Sequence, residues 1–466
     1  MADPGEPVVL GELLVVLDRE GSATLHEQLE LWLRDQVRTG RLATGTRLPS
    51  SRALAAALGI SRGVVLEAYS QLVAEGYLTA SQGAPTRVAA TSGSERAPVA
   101  AGALATRHAY DLRSGVPDLA AFPRERWLRS VRAALREAPL DALGDGDPRG
   151  EPRLRDELMR YLGRARGAAP EPEHTVVCAG FTQGFAILCR SLRDRGVERI
   201  AVEDPGWARH RAIAERAGLE PVPVPVDGDG IDVAALAASG CECAVVTPAH
   251  QFPSGVVLSA ERRAALLDWA DEADGLIVED DYDSELRYDR VAVGALQGLA
   301  PERVCHIGSV SVRLAPGLRL GWVLSPSWLT GELTYETALA EGPASAVAQV
   351  ALADFLARGE LDRHLRRMRP VYRRRRSVLL DAVARWWPRA SVLGVPAGVF
   401  ALVLLGEGVE EETVASAAAR AGVGVEGLSA HRHRQLDSAR GGLVLGFGGM
   451  SEPALERAME LLASAR

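Results

Sequence analysis

Arg47, Arg52, Arg62 and Arg87 carry guanidiniums, and Ser50, Ser51, Ser61 and Thr86 carry hydroxyls, all within one short stretch near the start of this chain. Both groups suit phosphate. Guanidinium forks pair with it through parallel hydrogen bonds, and hydroxyls join the free amides of a helix start in holding an anion. Ser50 with Ser51, and then Ser61, stand where helices are expected to begin. Gly63 removes a side chain where backbone would meet a ligand. Arg62 beside it can reach a phosphate or the edge of a guanine. Read as helix caps alone, Ser50 and Ser61 leave four spaced arginines without a task.

A second chemical feature is an absence. The chain has 466 residues and no lysine, so all 53 of its basic side chains are arginine. A Schiff base needs a primary amine that can lose its proton, and arginine stays protonated at any useful pH. The other primary amine, the chain's own N-terminus, belongs to the same stretch as Arg47 to Arg87. No metal site is expected either. The five cysteines are scattered among apolar neighbours, and Cys241-Glu242-Cys243 lacks the second pair that a zinc site requires. Buried free thiols are expected, which suits a reducing cytoplasm.

The elements that must position these residues fall into two units. Residues 89–107 are small and aperiodic, the composition of a flexible linker. Ahead of them, Leu25, Leu29, Leu33 and Val37 step by four along a first helix that Gly40 stops. A second helix starts at Pro49-Ser50-Ser51 and ends at Gly59, and a third runs from Ser61 to Glu75. The joint Leu58-Gly59-Ile60-Ser61 is tight, as in a helix-turn-helix. Tyr77–Ala80 and Thr86–Val88 then make a two-stranded wing. Beyond residue 108, apolar strands at 175–178, 199–203, 243–247, 276–279 and 303–307 alternate with helices such as 181–194 and 260–273, the rhythm of an α/β fold. From about residue 345 a long helix leads into a closing α+β part. Its run Arg363–Arg369 and Arg373–Arg376 reads as a solvated helix face.

Net charge is -8, and residues 1–90 hold eight arginines against ten acids. This argues against wholesale coating of nucleic acid, while a small basic surface made by placement is not excluded. The start shows no basic-then-apolar leader, and no apolar run approaches the roughly 20 residues of a membrane span. A cytoplasmic location is the expectation.

Residues 25–88 resemble the GntR-type winged helix through Gly45-Thr46-Arg47-Leu48-Pro49-Ser50-Ser51-Arg52, Ser61-Arg62-Gly63 and Thr86-Arg87-Val88. The wing tip Gln82-Gly83-Ala84-Pro85 is less glycine-rich than is usual there. Residues 108–466 resemble fold type I aminotransferases through six motifs in order: Gly115-Val116-Pro117-Asp118 with Phe122-Pro123, Gly146-Asp147-Pro148-Arg149-Gly150, Glu203-Asp204-Pro205-Gly206-Trp207, Thr247 to Gly255, Glu279 to Glu285, and Gly308 to Gly321. The combination resembles the MocR/GabR-type regulators. It implies an α/β chain of three parts: a winged helix-turn-helix head at 1–88, a linker at 89–107, and an aminotransferase-like body at 108–466. The body would hold a mixed, mostly parallel sheet with helices on both faces and a C-terminal α+β subdomain.

The same resemblance assigns roles. Val312 falls where the family holds its Schiff-base lysine. A genome rich in G and C exchanges lysine for arginine, so valine there says that the amine is no longer required. Asp280 matches the carboxylate on the pyridine nitrogen of pyridoxal phosphate, Tyr282 the phenol on the ring oxygen, and Trp207 the stacking aromatic. Arg319 matches the phosphate arginine, with Ser309 and Ser311 as hydroxyl partners and Gly180 at the phosphate-binding helix start. Two positions depart from the family. Phe181 brings bulk to that helix start, and Asp145 puts an anion where a tyrosine reaches the neighbouring subunit's cofactor. Arg432, Arg434 and Arg440 lie near the family's carboxylate-binding arginine and read as surface charges.

The resemblance implies a transcriptional regulator that binds an operator in double-stranded DNA. It would form a head-to-tail homodimer, respond to an unknown small-molecule effector, and lack covalent pyridoxal phosphate and catalysis. Non-covalent pyridoxal phosphate as the effector, an active aminotransferase and a partner-binding scaffold stay open as alternatives.

Overall fold

The computed structural model describes residues 8–10, 13–15, 17–19, 22–80, 84–89, 108–138, 142, 144, 146–288, 293–340, 342, 344–433 and 440–464. The chain divides into two compact units, Met1–Thr106 and Arg107–Arg466. Residues 90–107, most of the expected linker, lie outside the described residues.

The first unit opens with an antiparallel hairpin, β1 (Val8–Leu10) and β2 (Leu13–Val15), which has no counterpart in the sequence reading. Three helices follow: α1 (Leu25–Arg38), α2 (Ser51–Leu58) and α3 (Arg62–Ala74). Leu29, Leu33 and Val37, one face of α1, are buried with Leu54, Val65 and Leu72. α2 stops because Gly59 takes φ of +62°, a left-handed conformation that costs glycine little. The wing is β3 (Leu78–Thr79) with β4 (Arg87–Val88). A third strand-like stretch pairs with β4: Val88 N donates to Thr46 O and Leu48 N to Thr86 O, both at 2.9 Å.

The second unit begins at β5 (Tyr110–Asp111), α4 (Arg124–Glu137) and α5 (Pro152–Arg166). Strands and helices then alternate: β6 (Thr175–Cys178), α6 (Phe181–Asp194), β7 (Arg199–Asp204), α7 (Ala208–Arg216), β8 (Glu220–Asp227), β9 (Gly230–Ile231), α8 (Val233–Ser239), β10 (Cys243–Val246), α9 (Ala260–Glu272), β11 (Leu276–Asp281), β12 (Val304–Ser309) and β13 (Gly321–Leu324). These strands form one sheet in the order β6-β13-β12-β11-β10-β7-β8-β9. Its centre is parallel, while β13 runs against both β6 and β12 and β9 runs against β8. The central strands are buried on both faces, as helices on either side require: β10 is an unbroken apolar run, and β11 is apolar up to Val278 and acidic at its carboxyl end. β11 extends two residues past the expected end, because Asp280 and Asp281 keep pairing with Ile307 and Gly308 of β12.

Helices α10 (Thr330–Leu339), α11 (Ala346–Ala357) and α12 (Glu360–Trp386) lead to the C-terminal part. There β14 (Ser391–Leu393), β15 (Phe400–Leu404), α13 (Glu411–Arg420), β16 (Val423–Gly424), β17 (Glu426–Gly427), β18 (Gly442–Gly446) and α14 (Glu452–Ser464) include a sheet of order β14-β15-β18-β17. The arginine run on α12 is only partly a solvated face. Arg375 is buried, donating to Gly448 O at 2.5 Å and to Asp118 at 2.7 Å, and Arg369 donates to Glu285 O at 2.8 Å. All five cysteines are buried free thiols.

Candidate ligand cleft and nucleic-acid interface

In the first unit the predicted phosphate-binding residues gather at the starts of α2 and α3 and on the wing. Arg47, Arg52, Arg62, Arg87, Ser50, Ser61 and Gly63 are exposed, while Ser51 and Thr86 are half-buried. Ser50 Oγ accepts from Ala53 N at 3.2 Å and Ser61 Oγ from Val64 N at 3.4 Å, so both serines are caps. Arg62 Nε lies 3.4 Å from Ser51 Oγ, which brings the two helix starts together. Arg47 and Arg87 are bridge partners, and Arg87 Nη1 donates to Gly45 O at 2.9 Å. The four guanidiniums thus lie free of ion pairs among the described residues. Gln82 and Gly83 of the wing tip lie outside the described residues.

In the second unit the parallel strands β7, β10, β11 and β12 end at Asp204, Val246, Asp281 and Ser309, and the candidate cofactor residues sit at those carboxyl ends. Asp280 is buried. His210 Nε2 holds its Oδ2 at 3.0 Å, and its Oδ1 has no hydrogen-bond partner among the described residues. Burial raises this carboxyl above the ordinary carboxylate range, and the bond to His210 opposes the rise. Trp207 meets the His210 ring edge-on at 5.3 Å, and Phe181 packs against both at 5.7 and 5.3 Å. The Phe181 ring also stacks on Phe185 at 5.5 Å, so it belongs to an aromatic wall beside Asp280.

Gly180 begins α6 with φ of +100° and no side-chain cap. A Cβ added to Gly321 would lie 2.8 Å from Gly180 Cα, and one added to Gly180 would meet Ser311 Oγ at 4.0 Å. Ser309 Oγ accepts from Ser311 N at 3.4 Å. Arg319 is exposed and holds φ of +52°; its backbone N donates to Pro316 O at 3.3 Å, and its guanidinium makes no hydrogen bond or ion pair among the described residues. Val312 is buried in the turn after β12, within an apolar cluster against which Tyr282 packs. The Tyr282 hydroxyl donates to His250 O at 2.6 Å. Burial, then Asp283 and Asp280, hold that phenol well above its ordinary pKa, so it stays protonated.

Three groups escaped the sequence reading. His210 follows Trp207 by three residues on the first turn of α7, a spacing that places both on one side of the helix. His250 and Asp283 form a buried pair, Nδ1 to Oδ2 at 2.8 Å, although both belong to motifs already noted. Arg313, next to Val312, is fully buried. It meets Glu285 at 2.6 Å and Asp281 at 3.1 Å, and it donates to the carbonyls of Ser309, Asp281 and Tyr282. Asp281 also takes Arg166 at 2.7 Å and His306 at 2.9 Å. Burial would raise the Asp281 carboxyl, but Arg166 and Arg313 hold it well below its usual range.

The arginines near residue 432 have structural contacts. Arg440 is exposed, as a surface charge would be, and is tied down by donating to Leu405 O at 2.5 Å and Arg389 O at 3.1 Å. Arg432 donates to Arg440 O at 3.3 Å. Arg211 clamps the same loop through the carbonyls of Ala430, His431 and Arg432. Arg434 and Asp145 lie outside the described residues.

Comparison with known proteins agrees with this two-part build. The model for bacterial regulatory proteins of the gntR family matches residues 25–88, and that for aminotransferase class I and II matches residues 107–432. The chain is 34% identical over 461 residues to the "HTH-type pyridoxine biosynthesis transcriptional regulator PdxR" of Corynebacterium glutamicum, covering 96% of this chain and 97% of that one. It is 32% identical over 478 residues to the "Probable rhizopine catabolism regulatory protein MocR" of Rhizobium meliloti, covering 97% and 96%. Among solved structures, an archaeal alanine:glyoxylate aminotransferase superposes with a TM-score of 0.69 at 27% identity, covering 76% of this chain and 90% of that one.

The buried ion network yields a stability test. Arg313→Met keeps much of the side-chain volume but leaves Glu285 without its guanidinium, a loss of about 3–5 kcal/mol. Urea unfolding of the full chain should show the body's transition at lower denaturant by that amount. A shift under about 1 kcal/mol would mean that Arg166 and His306 suffice to hold the cluster.

Proposed function

This chain belongs to the MocR and PdxR type of GntR-family DNA-binding regulator, with an aminotransferase class I and II domain, and from that premise we propose that its body is a ligand sensor that has given up covalent pyridoxal-phosphate chemistry. The observation that carries this reading is Val312, an apolar side chain in the turn after β12, in a chain with no lysine anywhere. A sensor domain needs differential affinity for a ligand between two states and no turnover.

The residues present fit the ring and the phosphate of pyridoxal phosphate, and not its covalent anchor. Asp280 Oδ1 is buried without a partner among the described residues, as a carboxylate oxygen awaiting a ring N–H would be. Trp207 offers an aromatic face beside it. Gly180 and Gly321 make a close backbone approach that a side chain on Gly321 would break, with Ser311 Oγ near Gly180 and Ser309 and Arg319 nearby in sequence. When bound, such a group supplies an electron-withdrawing pyridinium ring. His210 fixes Asp280 by its second oxygen, and Tyr282 is fixed by His250 O. A second reading, non-covalent pyridoxal phosphate as the effector itself, is favoured by that unpartnered Asp280 oxygen.

In the head, Ser61, Arg62 and Gly63 would open a recognition helix in the major groove, with Ser50, Ser51, Arg52, Arg47, Thr86 and Arg87 on flanking phosphates. A head-to-tail homodimer would supply two such helices to a repeated operator, with residues 89–107 as the connection. Among the described residues no helix is long and apolar enough to cross a membrane. With five buried thiols, the reading places the protein in the cytoplasm.

Three outcomes test this. Arg62→Ala should weaken operator binding by about 1–3 kcal/mol if Arg62 reads a base, and unchanged affinity removes it from the interface. Pyridoxal phosphate added at 100 times its dissociation constant should raise stability by about 2.7 kcal/mol, with a chromophore that is released on denaturation. No shift would turn the search to other small molecules, and a chromophore retained after denaturation would overturn the non-covalent reading. Asp280→Asn separates ring recognition from folding. Because burial raises the Asp280 carboxyl, the folded state holds its proton longer than the unfolded state does. Ionisation therefore costs stability progressively as pH rises from the ordinary carboxylate range through the raised value. The variant should melt no lower than wild type at neutral pH, yet bind pyridoxal phosphate roughly tenfold to a hundredfold more weakly. Equal binding by both proteins would exclude Asp280 as the ring partner.

A further inference from the structure

Residues 361–376 hold eight arginines and one acid, in a chain whose net charge is -8. They lie on α12, which at 27 residues is about 40 Å long. Arg369 and Arg375 turn inward. Arg363, Arg366, Arg367, Arg373 and Arg374 are exposed and recur at the three- and four-residue spacing that lines one helix face. The single acid, Asp362, is taken by Arg164 of α5 at 2.7 Å. Arg363 is offset by Glu360 and Arg374 by Glu452. Arg366, Arg367 and Arg373 have no ion pair among the described residues.

α4 extends the same surface. Arg126 meets the Glu360 carboxylate at 2.6 Å, the group that Arg363 holds at 2.9 Å. Arg367 donates to Ala121 O at 2.6 Å, just ahead of α4. The buried His364 is pushed down to about 4, by burial first and then by Arg367 and Arg126, so guanidiniums from both helices converge there. One turn beyond Arg126, Arg129 is exposed and free of ion pairs among the described residues. An ordinary solvated helix face interleaves both signs, because like charges one turn apart destabilise a helix by a few tenths of a kcal/mol per pair, on the order of 0.2–0.5. Arg366, Arg367 and Arg373, with Arg129, leave a one-signed surface on an acidic protein, to which a polyanion is complementary.

We propose that the exposed arginines of α12, with Arg129 of α4, form a second contact surface for duplex DNA, gripping the phosphate backbone and reading no sequence. The family's head already brings a duplex to this chain, so phosphate is the anion at high local concentration. Guanidiniums spaced along one long helix suit a backbone that carries one charge per roughly 1.7 Å of axis. The assignment goes beyond the sensor role of the body: the body would add affinity without adding sequence preference.

The test uses the full chain and a random-sequence duplex of about 60 base pairs, since non-specific binding is electrostatic and needs no operator. The combined variant R129Q/R366Q/R373Q should lower the slope of log affinity against log salt by about 2 to 3, and weaken binding at least about tenfold at low salt. Its melting temperature should stay that of wild type, because none of the three side chains is buried or ion-paired. A head variant, R47Q/R87Q, should lower the slope independently. An unchanged slope and affinity in the first variant, with a reduced slope in the second, would overturn the proposal and leave the head's role standing. No change in either variant would remove both surfaces from DNA. Loss of binding to phosphatidylserine vesicles, with DNA binding intact, would reassign the stripe to a membrane surface and overturn the proposal as well.

Discussion

The body is organised around one buried carboxylate. Asp281 lies at the end of β11 with Arg166 and His306 on one oxygen and Arg313 on the other. A charge in that position is tolerable only when its partners are all in place. Those partners come from α5, from β12 and from the turn beyond it, so one residue joins three elements distant in sequence. Side chains alternate along a strand. With Asp281 committed to the ion cluster, Asp280 falls on the opposite side, beside His210 and the aromatic wall. Arg313 extends the constraint to Glu285 and to the carbonyls of Ser309, Asp281 and Tyr282. The turn that carries Val312 is therefore held by its neighbour and does not depend on any ligand.

Much of this build was legible in the sequence. The strands read at 175–178 and 243–247 and the helix at 181–194 announce themselves as apolar runs of the right length, the second strand ending one residue early at Val246, and glycines mark the ends of the head's helices. The Asp281 cluster was not legible, because its partners lie 25, 32 and 115 residues away and local periodicity carries no record of them. His210 and His250 were hidden for the same reason: each looks like an ordinary histidine until a carboxylate is brought to it by another strand. The β1–β2 hairpin was missed because three-residue strands are too short to show alternation. On α12 a single label failed, since one helix can turn Arg375 into the core and Arg373 to water.

A chain that uses arginine for every basic side chain gains and loses in a definite way. The guanidinium tolerates burial well, being planar, weakly hydrated and permanently charged, and Arg166, Arg313 and Arg375 all exploit this. What is lost is any side-chain amine that could switch between charged and nucleophilic forms. Within this body arginine supplies fixed charge and hydrogen-bond geometry, and the proton-exchanging groups are carboxylates and imidazoles.

The contact between Gly180 and Gly321 has a consequence of its own. The start of α6 rests directly on β13 there, so Gly321 cannot acquire a side chain without lifting the helix off the sheet, while Gly180 is kept a glycine by its φ of +100°. That close approach is a by-product of how the two elements touch, and folding alone preserves it. Genetic drift would leave that backbone contact untouched whether or not anything binds beside it, and only the polar side chains around it are free to change with the ligand.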